Sequence, residues 1–341
     1  MDLQTIWFIL WGVLWAAFFI LDGFDLGIGA LLPFLGKTDR DRRMMLNAMG
    51  PFWDGNEVWL ITAGGVTFAA FPGTYATLFS AMYSALMLVL LCLIFRGVAM
   101  EFRSKGNSDR WRAFWDKALF LASSTGALLF GVAFFNIFKG IPIDGDGVMQ
   151  GNLFTLINPY GLIGGLLFLT LFSMHGSLYL AIRTTGDLYQ RAVNTAKTLW
   201  IASLVMVVVA VAASAMMTRL FANYMTTPAL FLIPLLAVAG LGLCRMWIGK
   251  NDWRAWGASA VSIAALTFYG LAGIYPAMLP SSLDDSFSRT ISNASSTPLT
   301  LKIMLGVVLV VIPIVIAYQF FAYKLLSHKL DENDLRSDHA Y

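Results

Sequence analysis

Long apolar stretches recur along this chain and restrict its fold more than any other feature of the sequence. Of the 341 residues, 58% are hydrophobic and only 13% are charged, with a mean hydropathy of +0.70, which is unlike a soluble globular domain. A stretch of about 18 or more apolar residues is long enough to cross a bilayer as a helix. The sequence therefore predicts an all-α polytopic membrane protein with a single integral membrane domain over 1–341. The nine predicted transmembrane helices cover residues 5–35, 54–72, 76–99, 117–138, 160–182, 198–219, 228–247, 256–278 and 302–324.

The positions of the basic residues predict the orientation of these helices. Lys and Arg accumulate in the cytoplasmic loops of membrane proteins. With nine helices, the loops after the odd-numbered helices lie on one side together with the tail. All but four of the 23 Lys and Arg residues lie in these segments or at the helix ends beside them. The four exceptions are Lys139, Arg219, Arg289 and Lys302. We therefore expect the N-terminus to be periplasmic and the C-terminus cytoplasmic. The basic residues form no concentrated patch, so a nucleic-acid partner is not expected.

Four acidic residues lie in or beside the first two apolar segments. Asp22 and Asp25 are inside the first segment, whereas Asp54 and Glu57 begin the second, three residues apart and so on one helix face. Acidic residues within membrane helices are rare, and a functional site is the default hypothesis for them. If both helices reach the inner surface near Leu35, the helical rise places Asp54 at that surface. The same rise places Glu57 about 5 Å, Asp25 about 15 Å and Asp22 about 20 Å deep.

Two interpretations of these acids stay open at this stage. In the first, they form a proton relay from the inner surface, with Thr62 about 12 Å deep as a further polar group and water bridging gaps of about 5–10 Å. In the second, they are structural and pair with basic residues or cap a broken helix. Arg96 and Glu101, at the inner end of the third helix, belong either to an interfacial belt or to a cytoplasmic support for the acids.

The histidine count argues against haem binding by this chain. Of its three histidines, only His175 lies in a predicted helix, while His328 and His339 lie in the polar tail. Ligation by two histidines within the chain is therefore excluded, whereas a histidine–methionine pair stays possible. A lone buried histidine is more typical of a hydrogen-bonded packing residue. No zinc, phosphate-loop or nucleophile motif is present, so we predict neither a catalytic nor a metal-binding residue.

Six short patches, in order along the chain, resemble one protein family. They are LDGFDLG at 21–27, WDGNEVW at 53–59, FRGVAMEFR at 95–103, NPYGL at 158–162, RTTG at 183–186 and NASS at 293–296. Each patch is short, but the set spans almost the whole chain. Together they resemble subunit II of the cytochrome bd-type quinol oxidases.

The resemblance implies a fold and a set of partners. It implies nine helices arranged as two four-helix bundles plus one helix, in the inner (cytoplasmic) membrane of a bacterium. It implies a similarly folded subunit I that carries two b haems, haem d and the quinol-oxidising site, and one or more small single-helix subunits. The complex would reduce O2 to water with electrons from quinol and take its protons from the cytoplasm.

The resemblance also implies roles for individual residues. The acids that match Asp25 and Asp54 belong to a proton pathway in the family, and Asp22, Glu57 and Thr62 are further candidates. A structural quinone is a possible ligand of subunit II, with Trp53 as a plausible contact. This chain would then scaffold subunit I and supply the proton-uptake path without being catalytic alone.

A stand-alone proton-coupled transporter or channel is the alternative hypothesis. Intramembrane acids and helices interrupted by glycine are also typical of transporters. However, the Asp-Gly-Phe-Asp segment has no obvious repeat in the second half of the chain. The oxidase interpretation is therefore preferred.

Overall fold

The computed structural model describes residues 2–331 and 334–336, so His339 lies outside the described residues. Within these ranges the chain is mostly helical, with one small β-hairpin and two longer irregular connections at 140–152 and 280–297. The helices are α1 (Leu3–Leu35), α2 (Asp39–Met49), α3 (Trp53–Ala70), α4 (Pro72–Ala81), α5 (Tyr83–Arg103), α6 (Asp109–Lys139), α7 (Leu153–Leu156), α8 (Pro159–Arg183), α9 (Gly186–Met217), α10 (Phe221–Thr226), α11 (Leu232–Trp247), α12 (Asp252–Ile274) and α13 (Pro298–Leu325). The hairpin pairs β1 (Ala277–Leu279) with β2 (Arg289–Thr290) in antiparallel fashion.

Eight helices of the described chain are long and apolar enough to cross a membrane. They are α1, α5, α6, α8, α9, α11 together with the 3₁₀ turn that precedes it, α12 and α13. The second predicted helix is present as α3, but it is not among the eight. Its first two turns carry Asp54, Asn56 and Glu57, which lower the hydropathy of the whole helix. The multi-pass character is therefore confirmed, whereas the count of nine crossings stays a prediction.

The third predicted helix, 76–99, is not one helix. It begins inside α4 and is interrupted at Met82, after which α5 continues to Arg103. Pro72 and Gly73, which separate the second and third predicted helices, form the first turn of α4, where proline is favoured because no helical N–H bond is needed. α4 contacts both strands of the hairpin, so α5 alone provides the long apolar span in this region.

Two other helices begin earlier than the apolar pattern predicts. α6 starts at Asp109 rather than at 117, after the Ser108 hydroxyl accepts a hydrogen bond from the Trp111 amide. α9 starts at Gly186 rather than at 198. In both cases polar loop residues continue the helix beyond its apolar part, which hydropathy cannot detect.

The basic segment after α1 is not a loop but forms α2. The Thr38 hydroxyl accepts from the Asp41 amide at 3.1 Å, and the Asp41 carboxylate accepts from the Thr38 amide at 3.1 Å. This capping box is a helix start that the sequence already contained. The second half of α2, Met44–Met49, is buried, and α2 packs against α1 and α8. The chain therefore turns back along α1 before α3 begins.

α1 is the central helix, since it contacts α3, α6, α8, α12 and α13. A Cβ atom on Gly27 would overlap the backbone carbonyl of Phe172 in α8, and one on Gly176 would come within 2.7 Å of the Phe24 carbonyl oxygen. The backbones of α1 and α8 are therefore in contact, as small residues permit in membrane bundles. Gly64 and Gly65 differ, because a Cβ on either would meet nothing within 4 Å.

α13 is attached mainly at its ends. Along its full length only Leu301 is buried. The Trp7 indole donates to the Leu301 carbonyl at 3.1 Å. Beyond the other end of α13, Arg183 of α8 donates to the backbone carbonyls of Leu326 and His328. Between these attachments lies a mostly apolar, partly open cavity of about 800 Å³, lined by residues of α1, α3, α12 and α13.

Candidate functional site

A buried guanidinium brings together acids from two helices. Arg96 of α5, Asp22 of α1 and Asp25 of α1 are all 0% exposed. Nη2 of Arg96 lies 2.7 Å from the Asp22 carboxylate and also forms an ion pair with Glu57 of α3. Asp25 is close enough to interact electrostatically with Asp22, Arg96 and Glu57. Two carboxylates thus contact one guanidinium and a third lies nearby, so the acids outnumber the single positive charge among them.

The Asp25 carboxylate accepts a hydrogen bond from a side chain of α3 and not from a basic residue. The Asn56 amide nitrogen donates to Asp25 Oδ2 at 2.7 Å and to the Leu21 carbonyl at 3.2 Å. Asn56 is 1% exposed, and its amide oxygen accepts from the Tyr323 hydroxyl of α13 at 2.8 Å. The other carboxylate oxygen of Asp25 has no hydrogen-bond partner within the described chain. That oxygen is therefore available for a proton or a water molecule.

Asp54 and Glu101 lie at the exposed side of this cluster. Both residues are exposed, and Asp54 interacts electrostatically with Glu101 and Arg96. Trp53 is half-buried beside α5, where a Cβ on Gly97 would lie 3.0 Å from its ring. The exposure of the carboxylates falls inward, from exposed Asp54, through Glu57 at 23%, to Asp22 and Asp25 at 0%. The acids therefore form a graded series from the surface into the core.

The depths predicted for these acids were wrong in one respect. We placed the start of α3 at the level of Leu35, but Asn56 bonds to the Leu21 carbonyl, so the first turn of α3 lies beside the middle of α1. The reason is α2, which folds back along α1. The expected water-filled gap between Glu57 and Asp22 is also absent from the described structure, because Arg96 contacts both carboxylates directly.

The interfacial interpretation of Arg96 is wrong, because this side chain is fully buried among the acids. Glu101 is exposed and close enough to Asp54 to interact with it electrostatically. Thr62 is not joined to the acids by a hydrogen bond. Its hydroxyl donates to the Val58 carbonyl at 2.8 Å, and the residue lines the apolar cavity instead.

His175 does not fit the role of a haem ligand. It is 0% exposed, and its ring stacks on Trp256 at a centroid distance of 4.9 Å. Nδ1 lies 2.9 Å from the Ser259 hydroxyl and Nε2 lies 3.1 Å from the Ile20 carbonyl, so both ring nitrogens have hydrogen-bond partners. Iron ligation needs a free ring nitrogen. Over residues 2–331 and 334–336, no group of three or more His, Cys, Asp or Glu is arranged to hold a metal ion.

Sequence reasoning missed three polar residues of the site. Asn56 lies between the two predicted acids, and Gln319 and Tyr323 lie one turn apart on α13. Trp59 donates to the Gln319 amide oxygen at 3.1 Å, and the Gln319 amide donates to the Gly55 carbonyl at 3.2 Å. The available signal was that all three are polar groups in or beside apolar segments, where such groups need partners.

Comparison with known proteins identifies the family. The family described as cytochrome bd terminal oxidase subunit II matches residues 3–326. The chain belongs to this family. It is 36% identical to subunit 2 of the cytochrome bd-I ubiquinol oxidase of Escherichia coli (strain K12), with 99% of this chain and 98% of the relative covered. It is 37% identical to subunit 2 of the cytochrome bd ubiquinol oxidase of Bacillus subtilis (strain 168), with 96% and 98% covered.

A solved structure agrees with this assignment at the level of the fold. A chain in the structure of bd oxidase from Geobacillus thermodenitrificans superposes with a TM-score of 0.76, covering 95% of this chain and 98% of that one. The identity is 14%, so this likeness concerns the fold alone. The resemblance read from the six patches is confirmed. The chain is a subunit of a terminal oxidase complex that includes a subunit I and haem cofactors, and a stand-alone transporter is not favoured.

Proposed function

We propose that this chain scaffolds subunit I of a quinol:O2 oxidoreductase and supplies the path by which protons enter the complex from the cytoplasm. The observation that carries the proposal is the graded series of acids around Arg96, from exposed Asp54 to fully buried Asp22 and Asp25. Reduction of O2 to water consumes protons, so an oxidase needs such an entry route. Haem cofactors, which we assign to subunit I, supply the redox chemistry of the complex.

Each residue of the series has a separate part in the proposal. Asp54, near Glu101, receives protons at the exposed side. Glu57 passes them inward, and Arg96 keeps its charge throughout because a guanidinium is not deprotonated in proteins. Its ion pairs hold the carboxylates of Asp22 and Glu57 on one side chain, while Asp25 receives protons on its unpartnered oxygen. Thr62 is not included, since within the described residues its hydroxyl bonds to its own helix, at the Val58 carbonyl.

A purely structural cluster is the competing interpretation. A buried ion pair often adds little net stability, because removing two charges from water offsets their attraction. Asp22 and Glu57 both pair with Arg96, and Asp25 adds a third carboxylate nearby, so the acids exceed the single positive charge of Arg96. The excess of acids favours a site that exchanges protons.

We also propose that a structural quinone occupies the cavity between α1, α3, α12 and α13. Its volume of about 800 Å³ and its mostly apolar lining suit a prenyl chain. Trp59 and Tyr323 line this cavity, whereas Trp53 is not among its lining residues. Trp59 is therefore the better candidate for a contact with such a ligand.

The remaining features of the proposal concern the assembly. We infer nine crossings, arranged as two four-helix bundles plus one helix, with a periplasmic N-terminus and a cytoplasmic C-terminus in the inner membrane of a bacterium. The distribution of basic residues between the loops supports this orientation. We place two b haems and haem d in subunit I, and we expect at least one small single-helix subunit.

Substitution of the two acids in the complete oxidase tests the proton path. Asp25→Asn and Asp54→Asn keep the shape of the side chain but remove its ability to take up a proton. We expect each to slow quinol-driven O2 uptake about tenfold or more, since a positioned proton-transfer group contributes at least that much. The haem absorption spectrum of the purified complex reports whether assembly is intact.

Asp187→Asn is the matched control, because Asp187 is exposed in the first turn of α9, far in sequence from the cluster. Its O2 uptake should equal that of the unmodified complex. With an unchanged haem spectrum, full activity of Asp25→Asn would rule out the path, and full activity of Asp54→Asn would rule out proton entry at Asp54.

A further inference from the structure

We propose that Tyr323 is a positioning residue for Asp25, and that through it α13 controls the geometry of the proton path. The inference rests on the proposed proton path. Its basis is one continuous chain of hydrogen bonds from the Tyr323 hydroxyl to the Asn56 amide at 2.8 Å and from that amide to the Asp25 carboxylate at 2.7 Å. No other polar side chain of the described structure donates to Asp25.

The direction of this chain follows from the Leu21 carbonyl. A backbone carbonyl only accepts hydrogen bonds, so the Asn56 atom that faces it must be the NH2 group. The second hydrogen of the same group then points to Asp25, and the amide oxygen faces Tyr323. The tyrosine hydroxyl must therefore donate. Without it, the nearly fully buried amide oxygen loses its donor, which is unfavourable and frees the amide to reorient.

The ring of Tyr323 is held independently of its hydroxyl. It stacks on Phe52 with centroids 4.3 Å apart and planes 19° from parallel. It also meets the Phe24 ring edge-on at 6.4 Å. Loss of the hydroxyl therefore removes the hydrogen bond while the ring contacts stay in place, so Tyr323→Phe is a clean substitution.

The hydrogen bond from Tyr323 to Asn56 comes from a helix, α13, that is only weakly buried. α13 has one buried residue along its length, and Tyr323 also lines the cavity between α13 and α1. The charged and titratable side chains near Asp25 come from its own helix and from four others. They are Asp22 of α1, Glu57 of α3, Arg96 of α5, Tyr179 of α8 and Tyr323 of α13. Of these elements, α13 is the one least packed into the bundle, so its position can change without disrupting the core.

The test is Tyr323→Phe in the complete oxidase, with quinol-driven O2 uptake as the readout. We expect kcat to fall about three- to tenfold, the range that corresponds to one lost hydrogen bond. The KM for quinol and the haem spectrum should stay unchanged, because the substitution does not alter the fold or the quinol-oxidising subunit. In an Asp25→Asn background, the same substitution should cause no further decrease, since Tyr323 acts through Asp25.

Two controls separate this role from general docking of α13. Tyr318→Phe makes the same change at an exposed position of the same helix and should leave kcat unchanged. Gln319→Leu removes the other polar contacts between α13 and α3 but spares Asn56. If Gln319→Leu lowers kcat as much as Tyr323→Phe does, the effect arises from docking of the helix and the inference is overturned.

The outcomes also distinguish the two proposals. Full activity of Asp25→Asn would contradict the proton path itself. A slow Asp25→Asn variant together with a fully active Tyr323→Phe variant would leave the path in place and refute the role of Tyr323. A further decrease when Tyr323→Phe is added to Asp25→Asn would show that Tyr323 acts elsewhere.

Discussion

Arg96 shows how strongly one side chain can organise a membrane site. Its single Nη2 atom contacts carboxylates from α1 and α3, while Nε and Nη1 have no hydrogen-bond partner within the described chain. The guanidinium therefore joins α1 and α3 through a single nitrogen atom.

Arg96→Leu should therefore disrupt the assembly rather than only slow the enzyme. Removing the guanidinium leaves the fully buried Asp22 without its cationic partner, and breaking a buried pair in this way costs about 3–5 kcal/mol. Thermal unfolding of the purified complex and its yield would measure the loss. The double variant Arg96→Leu/Asp22→Leu, which removes one of the orphaned charges as well, should recover part of the stability. Equal instability of the single and double variants would contradict this explanation.

At the scale of the elements, the contact between α1 and α8 positions the site. Gly27 and Gly176 let the two backbones touch, and this contact places Asp25 beside the aromatic residues of α8. Phe24, next to Asp25, stacks on Tyr179 with centroids 4.0 Å apart. The capping box of α2 matters in the same way, because the direction of α2 determines where α3 begins relative to α1.

Gly27→Ala should destabilise the protein because the added methyl group has no space. Its Cβ would overlap the Phe172 carbonyl, and backbone cannot move aside as a flexible side chain can. Overpacking of this kind costs about 1–3 kcal/mol, visible as a lower midpoint of thermal unfolding. Gly242→Ala in α11 is the matched control, since its Cβ would meet nothing within 4 Å. An unchanged midpoint for Gly27→Ala would show that the helices can separate without loss of stability.

At the scale of the whole molecule, the chain is a packed bundle to which α13 is fastened by both ends. Arg183 is 1% exposed and donates to the carbonyls that follow α13, and the Leu330 amide donates back to the Arg183 carbonyl at 2.8 Å. Lys329 adds a hydrogen bond to the Thr184 carbonyl at 3.0 Å. The described part of the tail is therefore hydrogen-bonded to the end of α8, and this attachment holds α13 beside the cavity.

Arg183→Met should weaken this attachment of the tail to α8. The carbonyls of Leu326 and His328 then lose the hydrogen bonds from the buried Arg183 side chain. We expect trypsin to cut after Lys324 or Lys329 about tenfold faster, because one lost hydrogen bond makes local opening of the tail that much more frequent. Mass spectrometry of the digested complex would identify the site and the rate. Arg110→Met, at an exposed position in the first turn of α6, should not change the rate. Equal protection in the two variants would mean that Arg183 does not hold the tail.

Hydropathy, charge and motifs were sufficient to predict the class and the family of the protein. The apolar segments predicted α1, α8 and α13 to within a few residues at each end, and the motifs around Asp25 and Asp54 predicted the family. The boundaries failed where polar residues extend a helix, as at Asp109, or where Met82 interrupts an apolar run. Hydropathy reports the energy of transfer to lipid, and it does not report where the backbone hydrogen bonds of a helix begin or end.

The composition of the site depends on contacts that no local pattern encodes. Asn56 and Asp25 are 31 residues apart in sequence, and Tyr323 and Asn56 are 267 apart. Their meeting depends on how far α2 folds back along α1 and on the rotation of α13 about its axis. A rotation of one residue turns a helical side chain by about 100°, toward lipid instead of toward a partner. The residue types in the membrane are therefore a property of the sequence, whereas the partners of Asp22 and Asp25 result from the packing of distant helices.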